Sequence, residues 1–96
     1  MKVVITGAAG QISYSLIPFL CENGIFNSEE KLDLALVEIP GAMERLGGFV
    51  KELEDSAYST VNAISTYDNI QDAVVDADWC LLVGSIPRGI VLNGKE

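Results

Sequence analysis

Two features of the sequence could bind a ligand: a glycine-containing turn and an acidic side chain that ends a later apolar run. The turn, Gly7-Ala8-Ala9-Gly10, follows a short β-branched run and precedes a segment with helical spacing. Such a turn can bind phosphate, because the helix N-terminus offers free N–H groups and a partial positive charge. The spacing is one residue longer than in the pattern G-x-G-x-x-G, and Ser13 stands at the third glycine position. The turn alone therefore predicts only a phosphate site between a strand and a helix.

The acidic side chain is Glu38, which closes the apolar run Leu32 to Val37. A carboxylate at the end of a second strand can accept hydrogen bonds from both ribose hydroxyls of a dinucleotide, and it repels a 2′-phosphate. Glu38 lies further from the turn than the usual interval of about 20 residues. Its other interpretation is an ordinary solvated acid at a strand end. Together with the turn, Glu38 favours NAD over NADP.

Apolar runs alternate with segments of helical periodicity along the whole chain. The predicted strands are Val3 to Ile5, Leu32 to Val37, Val61 to Ser65 and Trp79 to Val83. The predicted helices run from near Gly10 to Asn23, from Met43 to Ala57, and over a short segment that Asp68 is predicted to cap. This alternation predicts the α/β class: a Rossmann-type parallel sheet with strand order 3-2-1-4 and helices on both faces.

The second predicted helix contains Gly47-Gly48 at its centre. Each glycine costs roughly 1 kcal/mol relative to alanine inside a helix. That cost suggests a close packing contact, for example with another helix. A simple surface irregularity is the alternative.

Composition sets limits on function. The 96 residues suffice for one small domain, and a net charge of -8 argues against nucleic acid and anionic membranes as partners. The chain has no histidine, and its cysteines have no metal-binding spacing, so no metal site is predicted. Cys21 and Cys80 lie in apolar segments and are predicted to be two buried thiols. Since no apolar run reaches about 18 residues, no membrane span is predicted, and a cytoplasmic location is expected.

Four segments, in order along the chain, resemble one known family. They are Thr6-Gly7-Ala8-Ala9-Gly10-Gln11-Ile12 with Tyr14-Ser15-Leu16, then Leu36-Val37-Glu38-Ile39-Pro40, then Glu52-Leu53-Glu54-Asp55-Ser56-Ala57, and finally Ala77-Asp78 with Leu81-Leu82-Val83-Gly84-Ser85-Ile86-Pro87-Arg88. This set resembles the N-terminal, NAD-binding part of cytosolic-type malate dehydrogenases, in the lactate/malate dehydrogenase superfamily. The resemblance covers residues 1 to about 89.

The resemblance implies a function and a role for each matching residue. It implies hydride transfer between NAD and malate or oxaloacetate, a reaction of the tricarboxylic acid cycle. The residues that it assigns to NAD are Gly7, Gly10, Gln11 and Ile12 around the pyrophosphate, Glu38 at the adenosine ribose, and Gly84 and Ser85 at the end of the fourth strand. Arg88 matches the first arginine of the active-site loop, which clamps a dicarboxylate substrate; guanidinium suits this because it pairs bidentately and stays charged. Without the resemblance, Arg88 would be interpreted as a charge on a surface loop.

The resemblance also implies a homodimer and an incomplete enzyme. The helix of residues 42–58 corresponds to a dimer-interface helix, which would give Gly47-Gly48 a close-packing role. The catalytic His–Asp pair of the family lies downstream of the residues present here. Residues 1–96 are therefore expected to form a partial NAD-binding domain that is inactive alone, with the catalytic domain outside this chain.

Three departures from the family pattern stand out. Ser13 replaces the usual third glycine, and Glu38 replaces the commoner aspartate. Residues 90–96 do not match the family loop, and Gly94 stands where a second substrate arginine is expected. An insertion, a divergent loop or a truncated reading frame would each explain this last difference.

Two other functions remain open at this point. One is a stand-alone nucleotide-binding module without catalysis. The other is a short-chain NAD(P) reductase or epimerase, since those enzymes also open with Thr-Gly-Ala-x-Gly. They would carry an Asn-Ala-type motif after the fourth strand instead of Gly84-Ser85-Ile86-Pro87-Arg88.

Overall fold

A computed structural model describes residues 1–23 and 30–83. In chain order the elements are strand β1 (Lys2–Thr6), helix α1 (Gln11–Asn23), strand β2 (Leu32–Val37), a 3-10 turn (Pro40–Ala42), helix α2 (Met43–Ser56), strand β3 (Val61–Tyr67), helix α3 (Ile70–Ala73) and strand β4 (Trp79–Leu82). All strand pairs are parallel, and the sheet order is β3-β2-β1-β4. The predicted α/β class and the strand order 3-2-1-4 are confirmed.

Helices cover both faces of the sheet, as predicted. Successive side chains of a strand point to opposite faces, so Val3 and Ile5 of β1 lie on one face and Val4 on the other. The larger hydrophobic cluster joins the first face to α1 and α2; its buried members include Ile5, Ile17, Leu34, Leu36, Leu46, Phe49 and Leu53. The smaller cluster joins Val4, Ala35 and Val37 to Ala73 of α3. The central strands β1 and β2 are therefore apolar on both faces, as parallel strands between helical layers must be.

The edge strand β4 pairs with β1 and carries apolar side chains that water reaches. Trp79 is 45% exposed and Leu82 is 63% exposed. Edge strands usually carry charged residues or other features that prevent pairing with another chain. An apolar strand at the edge therefore indicates a strand that another segment normally covers. The prediction of two buried thiols is wrong for Cys80, which is exposed on this strand, whereas Cys21 is buried between α1 and the sheet.

The N-terminal cap of α3 also differs from the prediction. Asn69, not Asp68, has the extended backbone of a cap residue, and its side chain accepts a hydrogen bond from Asp72 N at 2.9 Å. The Asn69 amide in turn donates to the Asp72 carboxylate at 3.0 Å. Asn69 therefore caps the helix through its side-chain oxygen, and the second bond joins the two side chains and not the cap backbone. The helix therefore begins at Ile70.

The glycine pair of α2 has open space around it. Side chains of Leu46, Phe49 and Leu53 bury one face of α2 against the sheet. A Cβ atom added at Gly47 or Gly48 would meet nothing within 4 Å among the described residues. A close packing contact at this pair is therefore not made within residues 1–23 and 30–83.

No helix within the two described ranges combines the length and the apolar character needed to cross a membrane.

Candidate functional site

The candidate site lies at the carboxyl ends of β1, β2 and β4, where parallel strands bring their following residues to one edge of the sheet. In open α/β sheets, ligands bind outside this edge. The glycine turn follows β1, and Glu38 follows β2 directly. Val83, the residue after β4, is the last of the described residues and lies at the same edge.

Backbone geometry explains the first glycine of the turn. Gly7 has a φ of 62°, in the left-handed region that residues with a Cβ adopt at a cost. Its carbonyl oxygen accepts hydrogen bonds from Gly10 N and from the Ser13 hydroxyl, both at 2.9 Å. A Cβ atom at Gly10 would lie 3.2 Å from this same oxygen. Both glycines therefore serve the closure of the turn.

The next two peptide groups of the turn are tied to the end of β2. Ala8 N donates to the carbonyl oxygen of Val37 at 3.1 Å, and Ala8 is fully buried. Ala9 N donates to Oε2 of Glu38 at 3.0 Å. The turn is therefore anchored on β2 as well as on its own helix.

The Glu38 carboxylate is held by the backbone on both sides. Oε2 accepts from Ala9 N and Oε1 accepts from Ile39 N, each at 3.0 Å. The Glu38 backbone N–H donates to Tyr67 O at 3.1 Å, which continues the β2–β3 pairing past the end of the strand. The fold brings Glu38 into contact with the glycine turn, although 29 residues separate Ala9 from Glu38.

The N-terminus of α1 presents backbone donors that have no acceptor within residues 1–23 and 30–83. The first hydrogen bond of the helical ladder runs from Tyr14 N to Gly10 O at 2.9 Å. The N–H groups of Gln11, Ile12 and Ser13 precede this bond, as the first donors of any α-helix do. The first turn of α1 contains no acidic residue that would oppose an anion. These donors and the helix dipole form an environment suited to phosphate.

Thr6 joins the glycine turn to the end of β4. Its buried hydroxyl oxygen accepts a hydrogen bond from Val83 N at 3.1 Å, one residue past the strand pairing of Thr6 with Leu82. The predicted site residues Gly84, Ser85 and Arg88 follow Val83 and lie outside the described residues. Thr6 was not among the predicted site residues, since threonine at the end of a buried strand has no distinguishing pattern.

Tyr14 connects α1 to α2 beside the site. Its ring stacks on Phe49, with centroids 4.9 Å apart and planes at 27°. Its hydroxyl donates to Oε2 of Glu52 at 2.7 Å. The hydrogen bond to Glu52 and the negative charge of that carboxylate raise the pKa of Tyr14 above its usual value. The contact fixes α1 against α2.

The remaining ionisable groups offer no separate reactive centre in the described part of the chain. Burial raises the pKa of the Cys21 thiol to about 11, so it stays protonated at neutral pH and is a poor nucleophile. Within residues 1–23 and 30–83, no three of His, Cys, Asp and Glu are grouped so that they could hold a metal ion. The described residues of the site therefore offer hydrogen-bond donors that suit an anion and a carboxylate that suits hydroxyl groups.

Comparison with known proteins places this arrangement in a family context. A family model described as lactate/malate dehydrogenase, NAD binding domain, matches residues 1–90. The matched range contains the glycine turn, Glu38 and the segment up to Arg88. A malate dehydrogenase of Magnetococcus marinus is 45% identical over 89 residues, which cover 93% of this chain. This chain spans 27% of the length of that relative.

Solved structures of high similarity agree with the family model. A crystal structure of malate dehydrogenase from Naegleria fowleri has a TM-score of 0.84 and 33% sequence identity, over 100% of this chain and 28% of that chain. The structure of Trichomonas vaginalis lactate dehydrogenase in complex with NADH and oxamate has a TM-score of 0.80 and 34% identity, over 98% of this chain and 27% of that chain. Structures of a malate dehydrogenase and of a lactate dehydrogenase therefore both share this fold.

Proposed function

This chain belongs to the lactate/malate dehydrogenase family, as part of its NAD-binding domain, and we propose that the whole protein is an NAD-dependent malate dehydrogenase. The reaction would transfer a hydride between NAD and malate or oxaloacetate. One observation carries the proposal: Oε2 of Glu38 lies 3.0 Å from Ala9 N in the glycine turn. This contact sets an acceptor for ribose hydroxyls beside a donor site for phosphate, and a dinucleotide needs both.

NAD is the cofactor of this domain, and the described residues fit it. The backbone of Gly7, Gly10, Gln11 and Ile12 would hold the pyrophosphate, because the turn lacks a Cβ atom where the chain is tightest and the helix N-terminus offers free donors. Glu38 would hold the adenosine ribose and disfavour the 2′-phosphate of NADP. When bound, the nicotinamide ring of the cofactor supplies the hydride acceptor.

Substrate recognition is assigned to the segment after β4. Gly84 and Ser85 would approach the cofactor, and Arg88 would pair with a carboxylate of malate or oxaloacetate. The Thr6–Val83 hydrogen bond supports this assignment, because it fixes the start of that segment beside the glycine turn. The malate dehydrogenase relatives favour a dicarboxylate over a monocarboxylate substrate.

We also propose a homodimer through the helix of residues 42–58. A glycine pair inside a helix lowers helix stability, which suggests that the missing side chains allow a close approach by another segment. The described residues leave open space at Gly47 and Gly48 for such a segment. Gly48→Arg should therefore shift the full-length protein from dimer to monomer in sedimentation experiments, whereas Gly48→Ala should remain dimeric. A Gly48→Arg protein that dimerises as tightly as the unmodified protein would place the interface elsewhere.

The proposed setting is the cytoplasm, with activity in the tricarboxylic acid cycle and a small dicarboxylate as substrate. A net charge of -8 makes nucleic acid and anionic membrane surfaces poor partners. Cell fractionation with an antibody against the protein tests the location; recovery in a membrane or secreted fraction would contradict it.

Steady-state kinetics of the full-length protein test the proposed function. We expect the kcat/KM for oxaloacetate to be far above that for pyruvate. We also expect the kcat/KM for oxaloacetate measured with NADH to be far above that measured with NADPH. Equal or better turnover of pyruvate would indicate a lactate dehydrogenase. Binding of NADH without turnover of either acid would favour a stand-alone binding module, and equal use of NADPH would remove the selective role of Glu38.

A further inference from the structure

Ser13 occupies a position where the dinucleotide-binding pattern has its third glycine, and its side chain is fully buried. Glycine serves there because it allows the helix to pack closely on the strand. Serine brings a hydroxyl group into the same space. In the described structure the Ser13 hydroxyl donates to the carbonyl oxygen of Gly7 at 2.9 Å, so the buried group is satisfied.

The acceptor of this bond is the most constrained peptide group of the turn. The Gly7 carbonyl also accepts from Gly10 N at 2.9 Å, so both of its lone-pair directions are used. The other side of the same trans peptide carries Ala8 N, which donates to Val37 O at 3.1 Å. The peptide plane between Gly7 and Ala8 is therefore held at both ends.

Without a side chain, Gly7 has more backbone freedom than any other residue type. Its φ of 62° is one of several conformations open to it. A hydrogen bond from a buried side chain of α1 removes part of that freedom before any ligand binds. Preorganisation of this kind increases affinity, because the ordering cost no longer falls on the binding step.

We propose that Ser13 is a positioning residue for the pyrophosphate of NAD, acting through the Gly7 carbonyl. The inference depends on the proposed NAD site. Ser13 fixes the turn that leads into the donor groups of Gln11 and Ile12, and its hydroxyl donates to Gly7 and not to Glu38. The Glu38 carboxylate is held twice: Oε2 accepts from Ala9 N in the turn, and Oε1 accepts from Ile39 N on the β2 side, an anchor that does not depend on the turn. Loss of the Ser13 hydroxyl should therefore weaken ligands that carry phosphates and spare recognition of the ribose.

The experiment uses the full-length protein with Ser13→Ala, Ser13→Gly and the matched control Ser15→Ala on the exposed side of α1. Inhibition constants of ADP and adenosine are measured in competition with NADH. A net hydrogen-bond contribution corresponds to about a three- to tenfold change in affinity. We expect Ser13→Ala to raise the constant for ADP by that factor and to leave the constant for adenosine within about twofold. Ser15→Ala should change neither constant.

The ratio of the two constants is the readout, because inhibition constants do not depend on how much of a variant is folded. An unchanged ADP constant in Ser13→Ala, or equal losses for ADP and adenosine, would overturn the inference. Ser13→Gly distinguishes the effect of the hydroxyl from the effect of side-chain volume. We expect Ser13→Gly to change the ratio of the ADP and adenosine constants as Ser13→Ala does. A wild-type ratio in Ser13→Gly would show that ADP affinity depends on side-chain volume and not on the hydroxyl. If the unmodified protein binds neither NADH nor ADP, the proposed function fails, and the Ser13 inference fails with it.

Discussion

The carboxylate of Glu38 lies against the glycine turn, with its Oε2 atom 3.0 Å from the backbone nitrogen of Ala9. The bond joins the residue after β2 to the turn after β1, and both are parts of the proposed NAD site. It also shows why a glutamate can serve where an aspartate is commoner. Its longer side chain reaches the turn while Oε1 still accepts from Ile39 N at 3.0 Å.

Removal of this carboxylate should change cofactor selectivity. Glu38→Ala deletes the acceptor for the ribose hydroxyls, and hydrogen bonds to charged groups contribute about 1.5–3 kcal/mol. We therefore expect the Kd for NADH to rise about 10- to 100-fold. The Kd for NADPH should rise less or fall, since the charge that repels its 2′-phosphate is gone. Fluorescence titration of full-length protein measures both constants.

Glu22→Ala is the matched control, since Glu22 is an exposed acid near the end of α1 and lies outside the proposed dimer helix. It should leave both constants unchanged. An unchanged ratio of NADH to NADPH affinity in Glu38→Ala would mean that the ribose is recognised elsewhere.

Removal of the Arg88 side chain should weaken substrate recognition and leave cofactor binding unchanged. Truncation of one partner of a buried, hydrogen-bonded charge pair costs about 2–5 kcal/mol. Arg88→Ala should therefore raise KM for oxaloacetate by on the order of 100-fold while the Kd for NADH stays constant. Lys31→Ala removes an exposed cation outside the proposed dimer helix and serves as the control. An unaltered KM in Arg88→Ala would exclude Arg88 from the substrate site.

The Thr6 hydroxyl should contribute to stability through Val83. Thr6→Val keeps the shape of the side chain but leaves the Val83 N–H without its acceptor. An unsatisfied buried donor costs about 1–3 kcal/mol. Urea unfolding of the full-length protein should show that loss. Thr6→Ser retains the hydroxyl and should lose about 1 kcal/mol or less, and equal stability of the two variants would contradict a role for the hydrogen bond.

The contact between Tyr14 and Glu52 predicts a pH-dependent signal. Glu52 raises the pKa of Tyr14 above its usual value of 10.0. The protonated phenol is therefore favoured in the folded state, and its contribution to stability is complete below pH 10.0. That contribution is lost as the pH rises through the raised value. Near-ultraviolet absorbance against pH, with Tyr14→Phe subtracted, isolates this titration.

Glu52→Gln should lower the pKa of Tyr14 towards its usual value. Glu54→Gln lies on the same helix and is exposed, and it should have no effect. Identical titration curves for Glu52→Gln and the unmodified protein would show that Glu52 is not the cause of the shift.

The arrangement of the sheet could be predicted because its determinants are local and repetitive. Apolar runs such as Leu32 to Val37 identify buried strands, and the alternation with helical segments leaves few parallel topologies. Adjacent parallel strands end at one edge of the sheet, which is why the turn after β1 and Glu38 after β2 meet there. Covalent order and hydrophobic pattern are sufficient for such conclusions.

Side-chain hydrogen bonds were harder to predict. Asp68 and Asn69 are both good cap residues, and only the backbone angles of the folded chain select Asn69. The partner of the Ser13 hydroxyl depends on the left-handed conformation of Gly7, which no spacing rule specifies. The exposure of Cys80 follows from the edge position of β4, which the predicted strand order already implied; the apolar residues around Cys80 were the wrong guide to its burial.

The edge position of β4 gives this chain an optical probe. Trp79 is the single tryptophan among 96 residues. Trp79 begins β4 and pairs with Val3 near the start of β1. The glycine turn follows the other end of β1, four residues after Val3. At 45% exposure its indole ring meets water, so any segment that covers the edge of β4 should shift its emission to shorter wavelengths. Because the indole lies at the sheet end remote from the cofactor site, its emission reports the covering of the edge separately from the binding of NAD.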